Sequence, residues 1–252
     1  MDAPTDRKGG CGMNSGFRLL VAGACLVLAA RASLAQPAKA AQVLFLAGGS
    51  YHDYESAPKI LMQDLQNYLG GRIQLDFVLS HDLGLLGDAG KYDLVMLNLC
   101  EQSELSSEQR AGFLKAVRGG VPVVALHCTF WCFQKWPEFR EVLGAFVPDH
   151  AKYGPMCLET VPDASSGTAG VPGKFELTDE PYMVNERDSS IRVLVRTCKS
   201  YEGRTGPEPE VWTKTFGLGR VFAMTFGHDL KSQRDPNYLT LLGNGVQWAL
   251  GR

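Results

Sequence analysis

Four stretches of the chain are apolar almost without interruption, at residues 42–47, 92–99, 121–126 and 219–226. Short runs of this kind, bounded by glycine or polar turns, are the pattern of strands buried on both faces, as in a helix-covered parallel sheet. Residues 73–79 alternate instead and predict a further strand. Helical spacing lies between them. Ile60, Leu61, Leu65, Tyr68 and Leu69 recur on one face behind a Ser56 cap and Pro58, and Gly70-Gly71 ends that helix. A second helix is predicted over 106–118, with Ser106 or Ser107 as cap, Leu114 and Val117 on its apolar side and Gly119-Gly120 as its stop. Residues 136–144 predict a short helix with proline in its first turn, and residues 239–250 a closing amphipathic helix containing Trp248.

The order strand, helix, strand, strand, helix, strand predicts an α/β fold built on a parallel sheet. Residues 156–216 differ in texture. Strands are expected at 156–161, 191–197 and 210–216, separated by Gly-, Pro- and Ser-rich breaks. These read as β insertions on the same sheet rather than a second domain with its own core.

Composition narrows the function. With 45% hydrophobic and 21% charged residues the chain is ordinary globular material, and a net charge of -2 without a basic block argues against a nucleic-acid partner. Residues 1–35 form a different regime, with Arg7, Lys8 and Arg18 ahead of an apolar run over 19–30 and then Ser33-Leu34-Ala35. That is the pattern of a secretory signal peptide cut after Ala35, which predicts a secreted or periplasmic protein with no membrane attachment once the signal is removed. Met13 is an alternative start, and an uncleaved anchor or a lipoprotein cysteine at Cys25 are the rival readings. Loss of the signal leaves Cys100, Cys128, Cys132, Cys157 and Cys198, an odd set in a chain large enough not to need disulfides. Most of them are expected to be small buried hydrophobes.

The chemistry-bearing residues sit where strands stop. His127 follows the 121–126 run, the position at the carboxyl end of a parallel strand where open α/β sheets bind ligands. His52 lies in Gly48-Gly49-Ser50-Tyr51-His52-Asp53 after the first strand, a turn that matches neither glycine-rich nucleotide motif. His228 and Asp229 follow the last strand. His81 reads as a surface residue, and His150 falls on a predicted loop after Phe146-Val147-Pro148-Asp149. The segment Thr129-Phe130-Trp131-Cys132-Phe133 is aromatic enough either to pack inward or to line a pocket. Thr178-Asp179-Glu180-Pro181-Tyr182 reads most simply as a solvated turn. Parallel topology would bring His52, His127 and His228 to one edge. There they could hold a divalent metal such as zinc, or move protons beside a carbonyl with a carboxylate setting the tautomer.

Residues 125–144 (ALHCTFWCFQKWPEFREVLG), 175–182 (FELTDEPY) and 211–252 resemble, in order and spacing, the ThuA-like family of trehalose-utilisation proteins. The resemblance covers residues 42–252. It implies a flavodoxin-like, class I glutamine amidotransferase-like parallel sheet with helices on both faces. His127 would fall at or beside the strand-to-helix turn where amidotransferases carry their nucleophilic cysteine, and His228 where they keep its histidine partner. The G-x-C-x-G elbow is missing and Cys128 comes one position late, so an amidotransferase-type hydrolase is the weaker reading. The resemblance points instead to carbohydrate metabolism, with trehalose derivatives and 3-keto glycosides as candidate ligands. On that reading His127 and His228 are acid/base or ligand candidates and Asp229 orients an imidazole. His52, His150 and Glu180 contact substrate, and Trp131 and Tyr182 face the sugar. A catalytically silent sugar-binding module is the alternative, and the sequence leaves association into a homo-oligomer open.

Overall fold

The computed structural model describes residues 39–162, 165–185, 187–201 and 203–252. The expected signal segment, 1–35, lies outside them. Among the described residues, no helix is long and apolar enough to cross a membrane.

Chain order runs from β1 (Ala41–Gly49) to α1 (Ala57–Leu69), β2 (Leu75–Ser80), β3 (Leu94–Cys100), α2 (Ser107–Arg118) and β4 (Val123–Leu126). Then follow α3 (Pro137–Leu143), β5 (Phe146–His150), β6 (Gly154–Thr160), β7 (Lys174–Asp179), β8 (Tyr182–Asn185), β9 (Arg192–Thr197), β10 (Pro209–Phe216), β11 (Gly219–Met224), α4 (Leu230–Gln233) and α5 (Pro236–Ala249). A nine-stranded sheet has the order β2-β1-β3-β4-β11-β10-β9-β6-β7. Its first five strands are parallel and its last four pairings antiparallel. The insertions of the carboxyl-terminal half therefore extend the parallel core sideways, and only β5 and β8 leave it, as a separate antiparallel pair.

Period-two alternation decides the two layers. From β1, Val43, Phe45 and Ala47 pack toward Leu61, Leu65 and Leu69 of α1 and Leu241 and Val246 of α5. Leu44 and Leu46 point the other way, toward Phe113 and Val117 of α2 and Phe139 of α3. With helices on both sides, these strands have no polar face to show, which is why their sequence reads as continuous hydrocarbon.

Several local expectations shift. Ser106 caps α2 in a full capping box with Gln109, as its spacing suggests. Ser56 stands at the start of α1 but its hydroxyl turns back to the Asp53 carboxylate instead of capping the helix. Residues 83–91, where the apolar pattern predicts no element, form a 3-10 segment that begins at an Asp82 cap. His150 is not on a loop: it ends β5, opposite Tyr182 of β8. The cysteines depart furthest from expectation, because four of them are paired, Cys100 with Cys128 and Cys157 with Cys198. Cys132 alone is a free buried thiol among the described residues.

Candidate functional site

The parallel strands β1, β3, β4 and β11 end along one edge, and four sequence-distant segments meet there. In the β4/β11 ladder Leu126 stands opposite Met224, so the next residues, His127 and Thr225, leave the sheet side by side. His127 turns with φ 47°, the left-handed region that a β-substituted residue enters only at a cost. It is held there by its own ring, whose Nδ1 donates to the Thr225 carbonyl at 2.8 Å. Because a carbonyl can only accept, the proton resides on Nδ1 and the lone pair of Nε2 faces the cavity. The Tyr182 hydroxyl donates toward that Nε2 at 3.4 Å.

His52 and His228 close on His127 from either side. Ring centroids are 4.8 Å apart for His52 and His127, 4.7 Å for His52 and His228, and 5.5 Å for His127 and His228. One nitrogen from each of the three rings lies within 4.8 Å of the others. Glu180 serves all but His52: its Oε2 is 3.0 Å from His228 Nδ1 and 3.8 Å from His127 Nε2, and its Oε1 is 3.8 Å from His150 Nδ1.

Electrostatics sorts these imidazoles. Burial, aided by the neighbouring imidazoles, lowers His52 to about 4. Burial likewise lowers His127 to about 4, against the opposing pull of its bond to Thr225. His228 moves the other way, raised chiefly by its contact with Glu180. Glu180 feels burial pushing it up, but the contact with His228 and the surrounding imidazoles bring it below the usual carboxylate value. Near neutral pH the site therefore holds two neutral imidazoles, one that favours its proton, and a carboxylate.

Two residues outside the predicted set fix this geometry. Asp179 belongs to the expected solvated turn, yet it is 0% exposed, and within that turn only Thr178 and Glu180 keep partial exposure. Its carboxylate accepts from the backbone of Gly227 at 2.8 Å and from His228 N at 3.3 Å, fixing the turn that delivers His228. Glu210, fully buried with its carboxyl pushed well above the usual range by burial, bonds the Thr225 hydroxyl, next to the carbonyl that orients His127. Asp229 corrects an expectation. It orients no imidazole by hydrogen bond; it caps α4 by accepting from Ser232 N at 2.9 Å and accepts from the Tyr153 hydroxyl at 2.8 Å. Tyr153 in turn packs on the His228 ring, centroids 5.2 Å apart.

A cleft of about 370 Å³ opens over the cluster, walled by Trp131, Tyr51, Tyr182, His150 and the Cys100–Cys128 bridge. Trp131 and Tyr51 meet edge to face at 6.0 Å and His150 stacks on Tyr182 at 5.7 Å, so the rim is aromatic, while Phe130 and Phe133 of the same segment pack inward. His81 is exposed and takes no part. The thiol chemistry of an amidotransferase is missing from this corner. The sulfur of Cys128 is bonded to Cys100, and the nearby Cys132 thiol is pushed up to about 12 by burial.

The sequence matches the ThuA family, described as trehalose utilisation, over residues 42–249. The chain belongs to the ThuA family. Among solved structures, a protein described as ThuA-like from Parabacteroides merdae superposes with a TM-score of 0.72 at 23% identity, covering 84% of this chain and 90% of that one. A second, from Bacteroides uniformis, gives 0.65 at 18% identity, covering 86% and 94%. A protein described as a GMP synthase component from Thermoplasma acidophilum gives 0.52 at 8% identity, covering 84% and 96%. These likenesses establish for this ThuA member the amidotransferase-like α/β fold. No curated protein matches the sequence at a significant level.

Proposed function

We propose that this ThuA family member is an exported enzyme of carbohydrate metabolism that removes a proton beside the carbonyl of an oxidised glycoside, a 3-keto derivative of trehalose or a related sugar. The observation that carries the reading is the meeting of three imidazoles and Glu180 under an aromatic rim. Acid and base are assigned where neighbouring titratable groups are driven apart in pKa. His127, lowered and with its Nε2 lone pair turned inward, is the base; His228, raised by Glu180, is the acid.

A carbonyl at C3 makes the C2 proton acidic. His127 Nε2 takes that proton, and the C2–H electron pair forms the C2–C3 double bond of an enediolate as the carbonyl pair moves onto oxygen. When those electrons return, the C1–O bond breaks and the departing oxygen takes a proton from His228, giving eliminative cleavage. Return of a proton without C–O cleavage gives isomerisation. Asp179 and Glu210 hold the two imidazoles in place through backbone and hydroxyl contacts. Trp131 and Tyr182 offer the sugar its apolar faces.

The test is incubation with native and 3-oxidised disaccharides in D2O, following deuterium uptake at C2. His127→Ala and His228→Ala should each reduce uptake or cleavage at least 100-fold, the scale of general acid–base catalysis. A double variant that processes oxidised disaccharides at the parental rate overturns the reading. Binding that persists with no turnover of any sugar makes the domain a binding module.

A divalent cation of the zinc class is the second reading, favoured by the mutual 4.8 Å reach of the His52, His127 and His228 nitrogens and by a His52 Nδ1 that is buried without a partner. Neutral imidazoles suit such an ion, which would polarise the sugar carbonyl. Zinc titration of the parent and of His52→Ala, with turnover measured with and without chelator, separates the two.

Export is supported by the amino-terminal pattern and by the two disulfides, which persist in oxidising compartments. Amino-terminal sequencing should find Gln36 first; a mature chain beginning at Leu34 or Ala35 excludes the expected cut.

A further inference from the structure

The connections of the parallel sheet diverge between β1 and β3: the chain leaves β1 for β2 on one side and β3 for β4 on the other. Open α/β sheets bind ligands in the crevice that such a divergence leaves beyond the carboxyl ends of the strands. His127 and His228 stand over β4 and β11, which leaves this crevice to other residues. It holds a pocket of about 280 Å³, lined by Gly48, Gly49, Tyr54, Glu55, His81 and Glu101. That is just below the roughly 300–1,000 Å³ of most small-molecule sites, and so sized for a ligand of few atoms.

The floor of the pocket is backbone. Gly48 pairs with Leu99 and Gly49 with Cys100 at the end of the β1/β3 ladder. Gly49 has φ 133°, and a Cβ there would meet the Cys100 carbonyl oxygen at 2.3 Å, so only glycine lets the two strands close at this point.

Around that floor stands a set of acceptors. Glu101 Oε1 takes bonds from the Ser103 hydroxyl at 2.8 Å and from the backbone N–H groups of Ser103 and Gln102 at 2.9 Å. Those bonds hold the carboxyl below its usual value and fix it before any ligand arrives. Glu55 adds a second carboxylate. His81 Nδ1 donates to the Ala47 carbonyl, which leaves the neutral ring an acceptor at Nε2. Tyr54 is 7% exposed, and its hydroxyl is buried without a partner. Its ring meets that of His52 edge to face at 5.7 Å, while the hydroxyl lies in the field of Cys132 and Glu101, which add to burial in raising its pKa. Buried polar groups nearly always pair, and a ligand donor seated beside Glu101 would supply what this phenol lacks.

Charge and spacing name the occupant. Among the described residues the lining has no lysine or arginine, so an anion finds no partner there. A bare metal ion is no better served. Among the described residues, the sets of three ligating atoms within 4.8 Å of one another are His52, His127 and His228, and His52, Cys100 and Cys128; Glu55, His81 and Glu101 form none. Acceptors held apart suit a cation with several N–H donors on a short carbon chain, to which Leu83 offers an apolar wall.

We propose that the β1/β3 crevice binds a small aliphatic amine in its ammonium form, its N–H groups shared among Glu101, Glu55 and the Tyr54 hydroxyl. The site is independent of the carbohydrate reading above.

Calorimetry on the full chain with putrescine, n-butylamine, 1-butanol and butyrate, at neutral pH and low salt, tests it. Both amines should bind about 10-fold or more tightly than butanol, and butyrate should not bind. Glu101→Gln, which keeps shape and removes charge, should weaken amine binding about 10-fold. Tyr54→Phe should weaken it several-fold; it removes only a hydroxyl that serves no partner in the fold, and so covers the case in which the Glu101 variant misfolds. Amine affinity no greater than that of butanol, equal binding of butyrate, displacement of the amine by magnesium at equal concentration, or amine binding that neither variant weakens overturns the proposal.

Discussion

His127 combines three properties that seldom occur together: it is 1% exposed, it has φ 47°, and its pKa is lowered to about 4 by burial. The backbone and the pKa each carry an expected outcome. Left-handed backbone costs a substituted residue about 1–2 kcal/mol that glycine is spared, so His127→Gly should be more stable than His127→Ala by about 1 kcal/mol in urea unfolding, with both inactive. The pKa gives a stability window. The folded value lies below the unfolded 6.5, so the unfolded chain binds the extra proton first and stability falls as pH drops from 6.5 toward 4. The full effect is on the order of 3 kcal/mol at about 1.36 kcal/mol per pKa unit. Asn tolerates the same backbone and does not titrate, so in chelator-containing buffer His127→Asn should lack this part of the pH slope in paired denaturation curves at about pH 7 and about pH 4.5. His228 works in the opposite sense: its raised value contributes stability that is fully present below 6.5 and is lost as pH rises through the folded pKa. The position of His127 was legible in the sequence because a polar residue ended an apolar run. Its tautomer was not, since that depends on a carbonyl 98 residues away.

The elements beneath these residues were legible to unequal degrees. Strands β1, β3, β4 and β11 announce themselves because burial on both faces leaves no polar alternation. The β7–β8 corner hides. Asp179, Glu180 and Pro181 look like a water-facing turn, and backbone N–H groups from residues 180, 227 and 228 make a buried carboxylate tenable there. Burial holds the Asp179 pKa above its usual value against the pull of those donors. Asp179→Asn keeps an acceptor for Gly227 but removes the charge next to His228. It should lower the pKa of the alkaline limb of the pH–rate profile, which His228 sets as the acid, with little change in KM, whereas a purely structural role would move the melting temperature and leave that limb in place. Capping provides a contrast within one layer. Ser106→Ala should cost about 1 kcal/mol by breaking the α2 capping box, and Ser56→Ala much less through α1, whose first turn its hydroxyl does not serve. Gly227, with φ 122°, is the hinge of the His228 turn, and any added methyl would press on the Tyr238 ring at 2.8 Å. Gly227→Ala should therefore impair both folding and turnover.

At the scale of the whole molecule, the two sheet halves are tied differently. Cys157–Cys198 joins β6 to the residue just past β9 in the antiparallel wing, closing a separation of 41 residues. The chain-entropy relation gives such a loop about 4 kcal/mol, so replacing both cysteines by serine should lower unfolding stability by up to that amount while leaving the site intact. Neither pairing could be read from spacing, because five cysteines scattered over about a hundred residues are compatible with many arrangements and only the fold selects one. Cys100–Cys128 is the more consequential bond, since it forms part of the cleft wall and its sulfurs lie within 4.8 Å of a His52 nitrogen. Recombinant material prepared in a reducing cytosol would present two soft sulfur donors at that spot, which the oxidised protein lacks, and could scavenge copper or zinc through them. Metal assays on such preparations would then report the redox history of the expression host, and batches from oxidising and reducing strains should differ in bound metal even when their amino-acid sequences are identical.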